Sequence, residues 1–140
     1  MTHILIIDDD EDSRELLCGL VQDAGFDCES VGSALEGLDV IEARSSSVIL
    51  IDIYMPGMDG CELARMLEEH PRRKAMTLVA VTGFSGEPIV YDVVAAGFDA
   101  FLSKPVDLDA LDGLFRGLAA QQGAASRSPA RRPLPTQDPA

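Results

Sequence analysis

The sequence predicts an α/β fold of the doubly wound class, a five-stranded parallel sheet with helices on both faces. Two observations carry that reading. Short continuous apolar runs rich in β-branched residues recur at Ile4 to Ile7, Val48 to Ile51, Leu78 to Val81 and, more weakly, Asp99 to Leu102, as expected of strands buried on both faces. Between the runs, apolar residues fall at helical spacing and the joining turns are short, so parallel strands with right-handed crossovers follow.

Taken in order, the first strand leads to a helix lined by Leu16, Leu17, Leu20, Val21 and Ala24, which Gly25 stops. A second strand fits Cys28 to Val31, and Ala34, Leu38 and Ile41 line the second helix. The third strand is followed by a helix carrying Leu63, Met66 and Leu67, and the fourth by one carrying Ile89, Val90, Val93 and Val94, which Gly97 stops. Leu108, Leu111, Leu114, Phe115 and Leu118 line the last helix. Ser33 with Glu36 and Asp59 with Glu62 have the spacing of capping boxes. From about Gln121 the period stops, and four of the eight prolines fall in the last 12 residues. Residues 1–120 therefore read as one domain and residues 121–140 as a disordered tail.

The chain of 140 residues has 11 Lys+Arg against 24 Asp+Glu and a net charge of −13. The first 120 residues hold 8 of the basic and 23 of the acidic groups, so the negative charge belongs to the domain. Such a body repels nucleic-acid phosphates and anionic membranes, and neither is expected as a partner. No apolar run approaches the roughly 20 residues of a membrane helix, and no basic leader precedes one. Cys18, Cys28 and Cys61 are an odd count without CxxC or zinc-ligand spacing, so reduced thiols in packing roles and a cytoplasmic location are expected.

Ligands of open parallel sheets bind outside the carboxyl ends of the strands. Those ends carry Asp8, Asp9, Asp10 and Glu11, then Asp52, then Thr82 and Gly83, then Lys104 and Pro105. Carboxylates gathered in one crevice repel, and a divalent cation together with Lys104 would offset them. Oxygen donors without His or Cys favour Mg²⁺ over zinc. Asp10, Glu11 and Asp12 read instead as a solvated cluster at a helix start, where carboxylates are favoured. His3, opening a strand, and His70, read as ending the third helix, are assigned structural roles.

The chain resembles the receiver domains of two-component response regulators, the chemotaxis regulators among them. The matching pieces are Ile4 to Asp10, Val48 to Gly60 with Asp52 and Met55-Pro56-Gly57 inside it, Val79 to Gly83, and Ala96 to Pro105. The resemblance implies a flavodoxin-like strand order of 2-1-3-4-5. It implies that Asp52 accepts the phosphoryl group, that Asp9 binds Mg²⁺ directly, that Asp8 helps through water, and that the Tyr54 carbonyl completes the ligands. Thr82 and Lys104 would contact the phosphoryl group, and the Lys104–Pro105 bond would be cis. Phe101 would swing inward when Thr82 moves, remodelling the face of the fourth helix, fifth strand and fifth helix; alternatively it is an ordinary core aromatic. Tyr54 either shields the site or is simply exposed, Gly83 either admits a donor imidazole or makes a turn, and Phe84 would contact a partner.

The function implied is a signalling switch that takes a phosphoryl group from a histidine kinase or a histidine phosphotransfer protein, catalysing only its own phosphorylation and dephosphorylation. The sequence leaves the downstream target open, as it does whether the chain stands alone or comes from a hybrid kinase or larger regulator. Two other classes use parts of the same set. A haloacid-dehalogenase-type phosphatase has a strand-end Asp, Mg²⁺ and a lysine, but needs an acid two residues after the nucleophile, where Tyr54 stands. A pseudo-receiver would bind a partner without phosphate, against which the intact acidic, Thr and Lys set argues.

Overall fold

In a computed structural model that describes residues 3–44, 46–83, 93–104 and 106–123, the strands form one sheet of order β2-β1-β3-β4-β5. The elements are β1 (His3–Ile7), α1 (Glu11–Asp23), β2 (Asp27–Val31), α2 (Ala34–Ala43), β3 (Val48–Asp52), α3 (Gly60–Leu67), a 3-10 turn (Arg73–Ala75), β4 (Thr77–Thr82), β5 (Ala100–Ser103) and a last helix, Leu108–Gly123. A helical stretch over residues 93–96 precedes β5 and is called α4, so the last helix is α5. All neighbouring strands are parallel.

The side-chain alternation of the strands divides the core in two. Leu5, Ile7, Ile49, Ile51, Leu78, Ala80 and Phe101 point to one face, where Ala34 and Ile41 of α2, Leu63 and Leu67 of α3, and Val93 and Ala96 of α4 cover them. Ile4, Ile6, Val48, Leu50, Val79, Val81 and Leu102 point to the other, against Leu17 and Val21 of α1 and Leu111 and Phe115 of α5. Strands covered on both faces have no polar side, which is why they read as unbroken apolar runs. Each buried Leu, Ile or Val contributes about 1.5–3 kcal/mol relative to exposure.

Local signals set the element ends. Asp10 caps α1 by accepting from the Ser13 N–H at 2.9 Å, and Asp59 and Glu62 form a reciprocal capping box on α3, both bonds 2.9 Å. On α2 only half of the expected box forms. Ser33 accepts from the Glu36 N–H at 3.1 Å, whereas the Glu36 carboxylate turns to the Gly32 N–H at 2.9 Å. Gly25 and Gly97 have φ of +97° and +100°, the left-handed conformation that glycine adopts freely at helix ends.

Several residues depart from the sequence reading. Leu16, Met66 and Val94 share the helical period yet are more than half exposed, because a helix buries only the stripe facing the sheet. Asp99 lies before β5; its carboxylate accepts from the Leu78 N–H at 2.9 Å and pairs with Arg73 at 3.2 Å. His70 lies beyond α3, which ends at Leu67. Its Nε2 meets the Glu42 carboxylate at 2.8 Å and its Nδ1 accepts from the Arg72 N–H, so a tie to α2 replaces the helix-dipole role. Helix α5 runs to Gly123, three residues past the predicted domain end. The predicted tail beyond it, Ile89, Val90, Phe84 and the Lys104–Pro105 bond with Pro105 lie wholly or partly outside the described residues.

Gly60 shows how α3 is brought against the end of β3. Its N–H donates to the Ile53 carbonyl at 3.0 Å, and a Cβ there would press on the Asp52 carbonyl oxygen and come within 2.9 Å of Ile53 Cα. Backbone cannot yield as a flexible side chain can. Gly60→Ala is expected to lower unfolding free energy by about 1–3 kcal/mol in urea titrations; a neutral result would mean that α3 and β3 separate easily.

Candidate functional site at the carboxyl ends of the strands

Asp8 leaves β1 beside the end of β2, its N–H donating to the Val31 carbonyl at 3.1 Å. Its carboxylate is buried. One oxygen accepts from the Asp10 N–H at 2.9 Å and the other from Lys104 Nζ at 3.1 Å. Arg14, one turn into α1, donates to the Asp8 carbonyl at 3.0 Å and fixes the bend.

Asp52 is the last residue of β3 and is also buried, at 7% exposure. Its Oδ1 accepts from the Tyr54 N–H at 3.2 Å and its Oδ2 from Lys104 Nζ at 3.3 Å. Asp9 is exposed, yet one carboxylate oxygen from each of Asp8, Asp9 and Asp52 lies within 4.8 Å of the others. Lys104 reaches in from just past β5, where its N–H donates to the Thr82 carbonyl at 2.8 Å. Thr82 ends β4 and is fully buried, opposite Ser103 in the register that sets Asp52 opposite Val81.

At these separations two carboxylates repel by roughly 3–4 kcal/mol at an effective dielectric near 20. Burial first, and then the negative charge of Asp8, push the Asp52 carboxyl up to about 6, with Lys104 working the other way. Burial works to lower the Lys104 pKa, but its bond to Asp8 and the charge of Asp52 outweigh that and raise it. The lysine thus stays protonated where its charge offsets the two acids. Three convergent carboxylates without sulfur or imidazole suit a hard divalent cation.

The predicted site residues fall into three groups. Asp8, Asp9, Asp52 and Lys104 are brought together directly. Thr82 is tied to Lys104 through the backbone, and Tyr54 contributes its N–H while its side chain is 50% exposed. Phe101 lies lower on β5, opposite Ala80, its ring already buried in the core. Gly83 is exposed, with open space where a Cβ would stand. Sequence reading missed Arg14 and Gly60. The signal for Gly60 was its place at the first turn of a capped helix right after the acidic strand end; Arg14 gave none, since its contact depends on how α1 packs.

A groove shares Asp8 and Lys104 with this cluster and is otherwise lined by Ser13, Leu16, Leu17 and Leu20 of α1 and by Val81 and Val106. The exposure of Leu16 belongs to this groove.

Residues 4–116 match the family described as response regulator receiver domain. The response regulator Rre1 of Synechocystis is 33% identical over 126 residues, 88% of this chain and 54% of that protein, so the chain spans about half of that relative's length. A CheY-like receiver domain from Methanospirillum hungatei superposes with a TM-score of 0.77 at 31% identity, covering 89% of this chain and 99% of that one. The chemotaxis protein CheY4 of Vibrio cholerae, at 24% identity and a TM-score of 0.79 over 84% of this chain and 98% of that one, shares the fold. With most of the chain matched by the family and the strand order the same as expected, this chain belongs to the response regulator receiver domains.

Proposed function

We propose that Asp52 is the residue that takes the phosphoryl group in this receiver domain. The observation that carries the assignment is the Lys104 ammonium shared between the buried carboxylates of Asp52 and Asp8, at 3.3 and 3.1 Å. A carboxylate oxygen of Asp52 attacks phosphorus of a phosphohistidine; the P–O bond forms, the N–P bond breaks, and its electron pair returns to the imidazole. A carboxylate needs no base for this, so catalysis reduces to in-line positioning and charge neutralisation. Lys104, released in part from Asp52 as its charge moves outward, follows the phosphoryl oxygens. Thr82, one residue past the Asp52-paired position of β4, supplies a hydroxyl donor from the adjoining strand end.

Asp8, Asp9, Asp52 and the Tyr54 carbonyl would hold Mg²⁺, which when bound neutralises carboxylate charge and polarises the phosphoryl oxygens. Asp9 is the exposed member of the set and so the one that presents its carboxylate to a cation arriving from solvent. The donor is a histidine kinase or histidine phosphotransfer protein, and the groove beside α1, which Asp8 and Lys104 also line, gives it an apolar foothold. Phosphate drawing on Thr82 reaches Phe101 through the β4–β5 pairing. The receiver unit extends through α5 to Gly123, acts in the cytoplasm, and delivers its output by protein contact. Among the described residues no helix is long and apolar enough to cross a membrane. The phosphatase reading lacks its acid, since Tyr54 fills that position with a side chain turned to solvent.

Incubation with acetyl phosphate and Mg²⁺ is expected to give one phosphoryl adduct by intact mass, absent in Asp52→Asn and strongly reduced in Asp9→Ala. An adduct retained in Asp52→Asn would exclude the assignment, and normal labelling of a folded Asp9→Ala would exclude the metal role.

The pH dependence of stability follows from the raised Asp52 pKa. The folded state holds that proton more tightly than the unfolded chain, so ionising Asp52 costs stability as pH rises from about 4 to about 6, and the cost is constant above. Without Mg²⁺, Asp52→Asn is therefore expected to be more stable than the parent by about 3 kcal/mol near pH 8, the difference vanishing near pH 4. Urea titrations at both pH values check this; a variant less stable near pH 8 contradicts it.

A further inference from the structure

Cys18 of α1 and Cys28 of β2 bring their sulfurs to 2.9 Å, the Cys18 thiol donating to Cys28 Sγ and the Cys28 thiol to the Glu29 carbonyl at 3.9 Å. Both are half-buried, and both pack on the core face covered by α1 and α5. The sulfurs are about 0.9 Å farther apart than in a disulfide, a gap that small side-chain rotations close. Cys61 is buried on the opposite face of the sheet. Spacing gives no hint of the pair, because the two cysteines are 10 residues apart and meet only when α1 folds back over the edge strand.

We propose that Cys18 and Cys28 form a reversible dithiol–disulfide site, oxidised by hydrogen peroxide, that ties α1 to the edge strand β2. Burial first, then the bond from Cys18 and the charges of Asp27 and Glu29, push the Cys28 thiol up. The thiolate of one cysteine of the pair attacks a peroxide oxygen, the O–O bond breaks, and one water leaves after taking up a proton, with a sulfenic acid remaining on that sulfur. The second sulfur of the pair gives up its proton and attacks the first; the S–S bond forms, the S–O bond breaks, and that proton leaves with the hydroxide as the second water. Two thiols are oxidised and one peroxide is reduced to two waters. The half-buried setting holds the second thiol next to the sulfenic acid, so closure needs only side-chain rotation.

The test uses the full chain, reduced and then exposed to hydrogen peroxide. The expected result is a monomer lighter by two hydrogens, with free thiols under denaturing conditions falling from three to one, and a single proteolytic cross-link joining Cys18 to Cys28. Dithiothreitol restores all three thiols, Cys61→Ser still forms the cross-link, and Cys18→Ser and Cys28→Ser do not. Three thiols retained, oxygen added to single cysteines without cross-linking, or a cross-link between chains or to Cys61 would each overturn the proposal.

Discussion

The ammonium of Lys104 between two buried carboxylates is the interaction on which the site depends. Asp8 and Asp52 end adjacent buried strands, and each is nearly cut off from water. Left alone, such a pair would take up a proton or push the strand ends apart. The lysine, anchored through its own N–H to the end of β4, lets both stay close. It offsets only part of the charge, since Asp9 and the rest of Asp52 remain unbalanced. The strand ends therefore form a site with an appetite for positive charge on its open side.

The fold supplies that arrangement through its two-faced core. Strands covered by helices on both sides are rigid, and their register fixes where Asp52, Thr82 and Lys104 stand relative to one another. The helices matter at their starts. Asp10 and Asp59 cap α1 and α3 next to the acidic strand ends, and Gly60 lets α3 approach the backbone that carries Asp52. The proposed role of Asp52 needs the carboxylate held in place while its surroundings can adjust. Asp52 lies on the rigid sheet, whereas Asp9, Tyr54 and Gly83 lie exposed around it.

Much of this was legible in the sequence because it is local. Buried strands show as β-branched runs, and a carboxylate ending such a run, as Asp8 and Asp52 do, is unusual enough to mark a site. Lys104 is legible for the same reason, as a charge ending the weakest strand. What escaped depends on tertiary approach: Arg14 on the Asp8 carbonyl, the closeness at Gly60, the meeting of Cys18 with Cys28, and the tie of His70 to Glu42 instead of to its own helix end. Leu16 was misread because helical spacing alone does not say where the buried stripe ends.

The most direct measurement is a double-mutant cycle of Lys104→Ala and Asp52→Asn, read by urea unfolding of the metal-free protein near pH 8. Removing the lysine alone leaves two buried carboxylates facing each other, whereas with Asp52→Asn present it leaves one. The account predicts that Lys104→Ala costs at least about 1 kcal/mol less in the Asp52→Asn background than in the parent. Equal costs in the two backgrounds would show that Lys104 does not balance Asp52, and would contradict it.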